Sequence, residues 1–172
     1  VEWKVRTIAV SIWLVLCLAS RAAAEVQVGY DESVDFSVYK SYTWGKGTPA
    51  ARPEFQEWIV EAIERELGDR GLVKTSGSDA DLRVESVAFS ELDVATRNAY
   101  VTSTAGDFGI ITSGAVASAT GTLMVDLLDA ATNESVWRAV ATEMMPSDVK
   151  PEKVRKVIGK VTKKMFRDFP PD

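Results

Sequence analysis

The chain has 172 residues, 46% of them hydrophobic and 26% charged, with a formal net charge of −5. That is enough length and apolar content for a domain with its own core, and the acidic balance argues against a general nucleic-acid binder, whose affinity rests on basic surface. Histidine is absent and the one cysteine is Cys17, inside a segment expected to be removed. Without it the chain has no imidazole base, thiolate nucleophile, disulfide or ordinary zinc site.

Residues 1–24 read as a secretory signal peptide. Lys4 and Arg6 precede an apolar run of about 14 residues, too short for a comfortable membrane span of about 20. Ala22-Ala23-Ala24 supplies the small-residue cleavage pattern before Glu25. Cleavage between Ala24 and Glu25 gives an exported, periplasmic chain. The alternatives are an uncleaved anchor helix and a lipoprotein anchored through Cys17, although Leu16 is larger than the small residue a lipobox places there.

Residues 25–172 are expected to form one α+β domain. Segment 25–31 alternates Val26, Val28 and Tyr30 and predicts a strand; 39–44, with Tyr39, Tyr42 and Trp44, predicts a second. A Gly- and Pro-marked loop follows, and Pro53 opens a helix at its preferred first position. That helix has an apolar stripe of Phe55, Trp58, Ile59, Ala62, Ile63 and Leu67, an acidic surface of Glu54, Glu57, Glu61 and Glu64, and an end at Gly68 and Gly71. Segment 81–89 is a third strand. Segment 90–119, dominated by Ser, Thr, Ala and Gly, reads as an irregular excursion.

Residues 121–142 carry the strongest signal, a β-hairpin. A turn centred near Thr132 places Leu127 opposite Trp137, Val125 opposite Ala139 and Asp126 opposite Arg138, with an apolar inner face and an opposite-charge pair on the outer one. Pro151 opens a second helix with Val154, Val157, Ile158, Val161, Met165 and Phe169 inward, stopped by Phe169-Pro170-Pro171. The order β-β-α-β-(excursion)-β-β-α predicts a single, mostly antiparallel sheet of about five strands with two helices packed on one face.

Several pieces in order resemble a bacterial family of envelope proteins, many of them lipoproteins, catalogued as domain of unknown function DUF4136. They are Tyr30-Asp31, the run Asp35-Phe36-Ser37-Val38-Tyr39-Lys40-Ser41-Tyr42-Thr43-Trp44, Ala80-Asp81-Leu82, the strand Gly-Thr-Leu-Met-Val-Asp-Leu-Leu-Asp at 121–129, Val136-Trp137-Arg138, and Phe169-Pro170-Pro171. The resemblance implies an exported α+β domain. It implies no activity and carries over no catalytic, cofactor-binding or metal-binding residue.

Candidate sites are few. Asp126 and Arg138 are read as a structural cross-strand ion pair ahead of a ligand-binding carboxylate held by Arg. The half-apolar face of Met124, Leu128, Val136 and Val140 is read as covered by segment 90–119 or by a partner. Lys153, Lys156, Lys160, Lys163 and Lys164 are candidate contacts to an anionic membrane surface or envelope polymer, against the plainer reading of a solvated helix face. The leading expectation is a non-enzymatic binding or structural module of the cell envelope, with an unknown envelope protein or polymer as partner and no cofactor. The alternatives are the anionic-surface binder and a small hydrolase using Asp79, Asp81 and Asp126.

Overall fold

The hairpin forms in the expected register. In the computed structural model, which describes residues 24–77, 79–89, 121–143 and 150–171, β5 (Gly121–Asp129) and β6 (Ser135–Glu143) pair antiparallel, with Leu127 opposite Trp137, Val125 opposite Ala139 and Asp126 opposite Arg138. The connection is longer than a two-residue turn. Asp129 accepts hydrogen bonds from the backbone N–H of Ala131 and Thr132, both at 2.9 Å, and Asn133 takes a left-handed φ of 63°, a conformation Asn tolerates well.

The other elements in chain order are β1 (Glu25–Tyr30), a 3₁₀ turn over Phe36–Val38, β2 (Ser41–Trp44), α1 (Pro53–Asp69), β3 (Val73–Lys74), β4 (Leu82–Phe89) and α2 (Pro151–Met165). Both helices begin at their proline, whose missing N–H costs nothing in the first turn. Gly71, with φ +84°, carries the chain out of α1 in a conformation that a side chain would strain.

The sheet has six strands in the order β1-β6-β5-β4-β2-β3, which corrects the expectation of about five mostly antiparallel strands. β1, β6, β5 and β4 run antiparallel, whereas β2 pairs parallel with both β4 and β3. The parallel half follows from α1, because a helix returning the chain to its starting edge delivers β3 in the direction of β2. β3 is only two residues long, too short to show an alternating pattern. After β2 the chain stays close to β4: a Cβ on Gly47 would stand 2.1 Å from the Ser86 carbonyl oxygen, so glycine is required there.

Both helices feed the same hydrophobic cluster. Ile59, Ile63 and Leu67 of α1 and Val161 and Met165 of α2 meet Tyr42, Leu82, Val84, Val125, Leu127 and Trp137 of the sheet. Aromatic rings close one end, with Trp137 4.7 Å from Phe166 and 5.3 Å from Phe169, and Phe169 5.9 Å from Phe36. Such ring pairs add stability beyond their buried area. Arg70, just past α1, clasps this end. Its guanidinium donates to the Phe169 carbonyl at 2.8 Å, to the Phe166 carbonyl, and to the carbonyl and carboxylate of Glu66 at 2.8 and 2.9 Å. A cation is well placed among carbonyls at a helix C-terminus.

The opposite sheet face is also interior. Val87, Met124, Asp126, Leu128 and Arg138 are all buried although neither helix lies over them. Segment 90–119 falls outside the described residues, as do residues 1–23, on which the expected signal peptide lies.

Candidate functional site

The residues of the resemblance stretch have legible structural jobs. Asp35 accepts from the Ser37 N–H at 2.9 Å and starts the 3₁₀ turn that delivers Phe36 to the core. Tyr39 donates its hydroxyl to Asp129 at 3.0 Å, tying this stretch to the hairpin turn. Lys40 and Ser41 donate their backbone N–H groups to one oxygen of Asp81, each at 2.9 Å, and the Ser41 hydroxyl joins them at 2.8 Å. Tyr42 is buried in the core, and the Trp44 indole N–H reaches Glu64 on α1 at 2.8 Å.

These bonds fix the electrostatics of the carboxylates. Hydrogen bonds from the Lys40 backbone and the Ser41 hydroxyl hold the Asp81 carboxyl below its ordinary pKa. The Thr132 N–H does the same for Asp129, against partial burial. Burial, reinforced by the Asp129 hydrogen bond and the charges of Asp129, Asp31 and Asp81, pushes the Tyr39 phenol up to about 12. Such groups remain in one protonation state at neutral pH, as structural acceptors and a donor do, whereas proton transfer needs a pKa near the working pH.

Asp126 and Arg138 form the ion pair expected of them, in a different setting. Nε of Arg138 lies 2.6 Å from Oδ1 of Asp126 and Nη2 lies 3.1 Å from Oδ2, a two-point contact. The side chains are 3% and 0% exposed. The outer-face position expected for the pair is therefore corrected: the face is covered, and the pair is part of the interior. Ser135 adds its hydroxyl to Asp126 at 3.3 Å.

The proposed partner face is likewise interior. Met124, Leu128 and Val136 are buried and Val140 is half-buried. Val136 also departs from its expected face. The register shifts between Leu127 and Leu128, leaving Val136 unpaired between Ser135 and Trp137, and it joins the helix-side cluster. An alternation count cannot anticipate a bulge.

The lysines of α2 are where the helical period puts them. At about 100° per residue, Lys153, Lys156, Lys160, Lys163 and Lys164 fall within one arc of roughly 100°, and all five are exposed. Lys164 donates to the Ala24 carbonyl at 2.5 Å. Among the described residues the other four have no ion-pair partner, while Arg155, outside the arc, pairs with Glu61 of α1 at 2.8 Å.

Two adjoining recesses flank this stripe. An apolar cavity of about 200 Å³ lies between the N-terminal halves of the helices and the sheet, walled by Phe55, Ile59, Leu123, Ala141, Val154 and Ile158. A wider recess of about 520 Å³ is lined by Lys160, Lys163, Lys164, Arg167 and Arg70. Val157, Val161 and Glu143 belong to both. Asp79, Asp81 and Asp126 line neither, and no group of three or more potential metal-ligating side chains occurs among the described residues. The apolar cavity went unseen in sequence because helix α1, helix α2 and the sheet each supply part of its wall. The clasp of Arg70 was missed because the Phe166 and Phe169 carbonyls it binds lie nearly a hundred positions away.

No curated protein matches the chain. Among solved structures, a DUF4136 family protein from Bacteroides thetaiotaomicron superposes with a TM-score of 0.58 at 13% identity, over 86% of this chain and 96% of its own. PelC from Paraburkholderia phytofirmans, solved as a dodecamer, gives 0.52 at 11% identity over 84% and 95%. A PDZ domain protein from Parabacteroides distasonis gives 0.53 at 14% identity, with 87% of this chain matched to 37% of that one. At these identities the likeness is one of fold. The family model of the domain of unknown function DUF4136 matches residues 26–171, nearly everything after the leader-like segment, and the chain belongs to that family.

Proposed function

We propose that the chain is an exported, non-enzymatic binding or structural module of the cell envelope. The observation that carries this reading is the employment of its acids: Asp81, Asp126 and Asp129 each hold backbone, hydroxyl or guanidinium groups in place and are kept apart from both recesses. In a chain without histidine those carboxylates are the natural proton-transfer groups, and structural use speaks against the hydrolase alternative. The leader pattern of residues 1–24 supports export, with release at Ala24–Glu25 preferred to a lipid on Cys17. Fractionation of the native host followed by mass measurement tests this: a periplasmic chain beginning at Glu25 is expected. A membrane-bound form carrying a lipid on Cys17 would replace release with anchorage, and a cytoplasmic full-length chain would overturn the reading.

A second reading rests on the lysine stripe of α2. Four ammonium groups on one arc, without an ion-pair partner among the described residues, suit an anionic membrane surface, where each basic residue near the surface contributes about 1 kcal/mol. Co-sedimentation with anionic vesicles that weakens as salt rises is expected. Equal binding to neutral vesicles would remove this reading.

A further inference from the structure

We propose that the two adjoining recesses beside α2 form one binding site for a single anionic amphiphile, a molecule with one alkyl or acyl chain and a negatively charged head. The tail would occupy the apolar cavity and the head the basic recess. The cavity, at about 200 Å³, exceeds the roughly 150 Å³ of engineered apolar cavities that stay dry and take up benzene. The apolar walls that two helices and the sheet turn toward this space offer dispersion contacts to an alkyl chain.

The charges around the site fix the orientation. At the α1 end the cation is Arg52, and it is already occupied: Nη2 lies 2.6 Å from Glu54, and its guanidinium stacks 4.5 Å over Phe55. At the α2 end, Arg70 is spent on the carbonyls of Phe166 and Phe169, Arg167 on Asp168 and Lys164 on the Ala24 carbonyl. Lys160 and Lys163 line the basic recess and hold no ion-pair partner among the described residues. Glu143, on the shared wall, repels an anionic head from the junction and so leaves the head to the Lys160 and Lys163 end. A bound molecule thus meets, in order, an apolar chamber, the Val157 and Val161 wall with Glu143 at its edge, and two unpaired ammonium groups. This site shares Lys160 and Lys163 with the anionic-surface reading but differs from it in needing the cavity.

Calorimetric titration of the full chain tests the proposal, with octyl phosphate below its micelle concentration as the probe. Inorganic phosphate supplies the head alone, and octyl glucoside supplies the same tail on a neutral head. Octyl phosphate is expected to bind at least about tenfold more tightly than either half. Ile158→Trp, which fills the cavity, should weaken octyl phosphate binding about tenfold or more while leaving any binding to anionic vesicles in place. The exposed pair Lys160→Glu and Lys163→Glu, which leaves the core untouched, should reduce octyl phosphate to the level of octyl glucoside even if the tryptophan variant fails to fold. The proposal is overturned by octyl glucoside binding as tightly as octyl phosphate, by octyl phosphate binding that survives the lysine changes, or by no binding of octyl phosphate, the result expected if the chain's own residues fill the cavity.

Discussion

Helices α1 and α2 pack side by side, carry opposite charge and use it in opposite ways. The acids of α1 are mostly engaged: Glu54 with Arg52, Glu61 with Arg155, Glu64 with both Lys74 and Trp44, and Glu66 with Arg70. The lysines of α2 are mostly not, and one ion pair, Glu61 to Arg155, bridges the helices. Charge engaged within the chain specifies how its parts meet, and charge left over faces whatever approaches from outside. The sheet repeats the first half of that contrast in its interior, where Asp126 and Arg138 are engaged so completely that water no longer reaches them.

The contrast can be broken from its most committed member outward. Arg138→Met leaves the Asp126 carboxylate buried without its guanidinium and is expected to cost about 3–5 kcal/mol, read as a loss of chemical-denaturation midpoint. Adding Asp126→Leu to it should recover part of that loss, since no buried carboxylate is then left without its cation. Arg70→Ala removes the clasp on the Phe166 and Phe169 carbonyls and should cost about 2 kcal/mol, the scale of hydrogen bonds to a charged group. An equal loss in Arg70→Lys would show that the fork geometry, rather than the charge, is what matters.

Asp81→Ala comes next, at about 1 kcal/mol for a partly exposed carboxylate capping two N–H groups. Its sign with pH is fixed by the lowered pKa. The contribution is complete above the ordinary carboxylate value of about 4 and disappears as the pH falls through the lowered folded-state value. The wild-type and Asp81→Ala stability curves should therefore converge in acid; parallel curves would remove the carboxylate from the account. The smallest effect belongs to α2: replacing Lys153, Lys156, Lys160 and Lys163 together by Gln should leave the unfolding midpoint where it was, because exposed unpaired lysines hold nothing in place.

The parts legible in the sequence are those settled by neighbours a few positions apart. Pro53 and Pro151 mark both helix starts, and the alternation of residues 121–142 fixes the pairing of Asp126 with Arg138 and Leu127 with Trp137. The lysine arc follows from the helical period alone. What escaped depends on distant partners or on what covers a face. β3 is a strand because β2 lies beside it, and Asp81 is a cap because Ser41 stands opposite. The mixed face of β5 looks half-exposed by alternation and is buried in fact, since period two assigns residues to faces without saying which faces are covered. Of the candidate site, the basic half was readable and the apolar half was not.

The pairing of β1 with β6 orders events in time as well as space. Glu25, near the start of the described residues, sits opposite Thr142, and Phe36, close behind it, packs on Phe169 after α2. Among the described strands, β1 thus has no partner until β6 has been made. Such long closures make for slow folding. The stretch between β1 and β6 is therefore made, and can travel as an extended thread, before this pairing locks it shut.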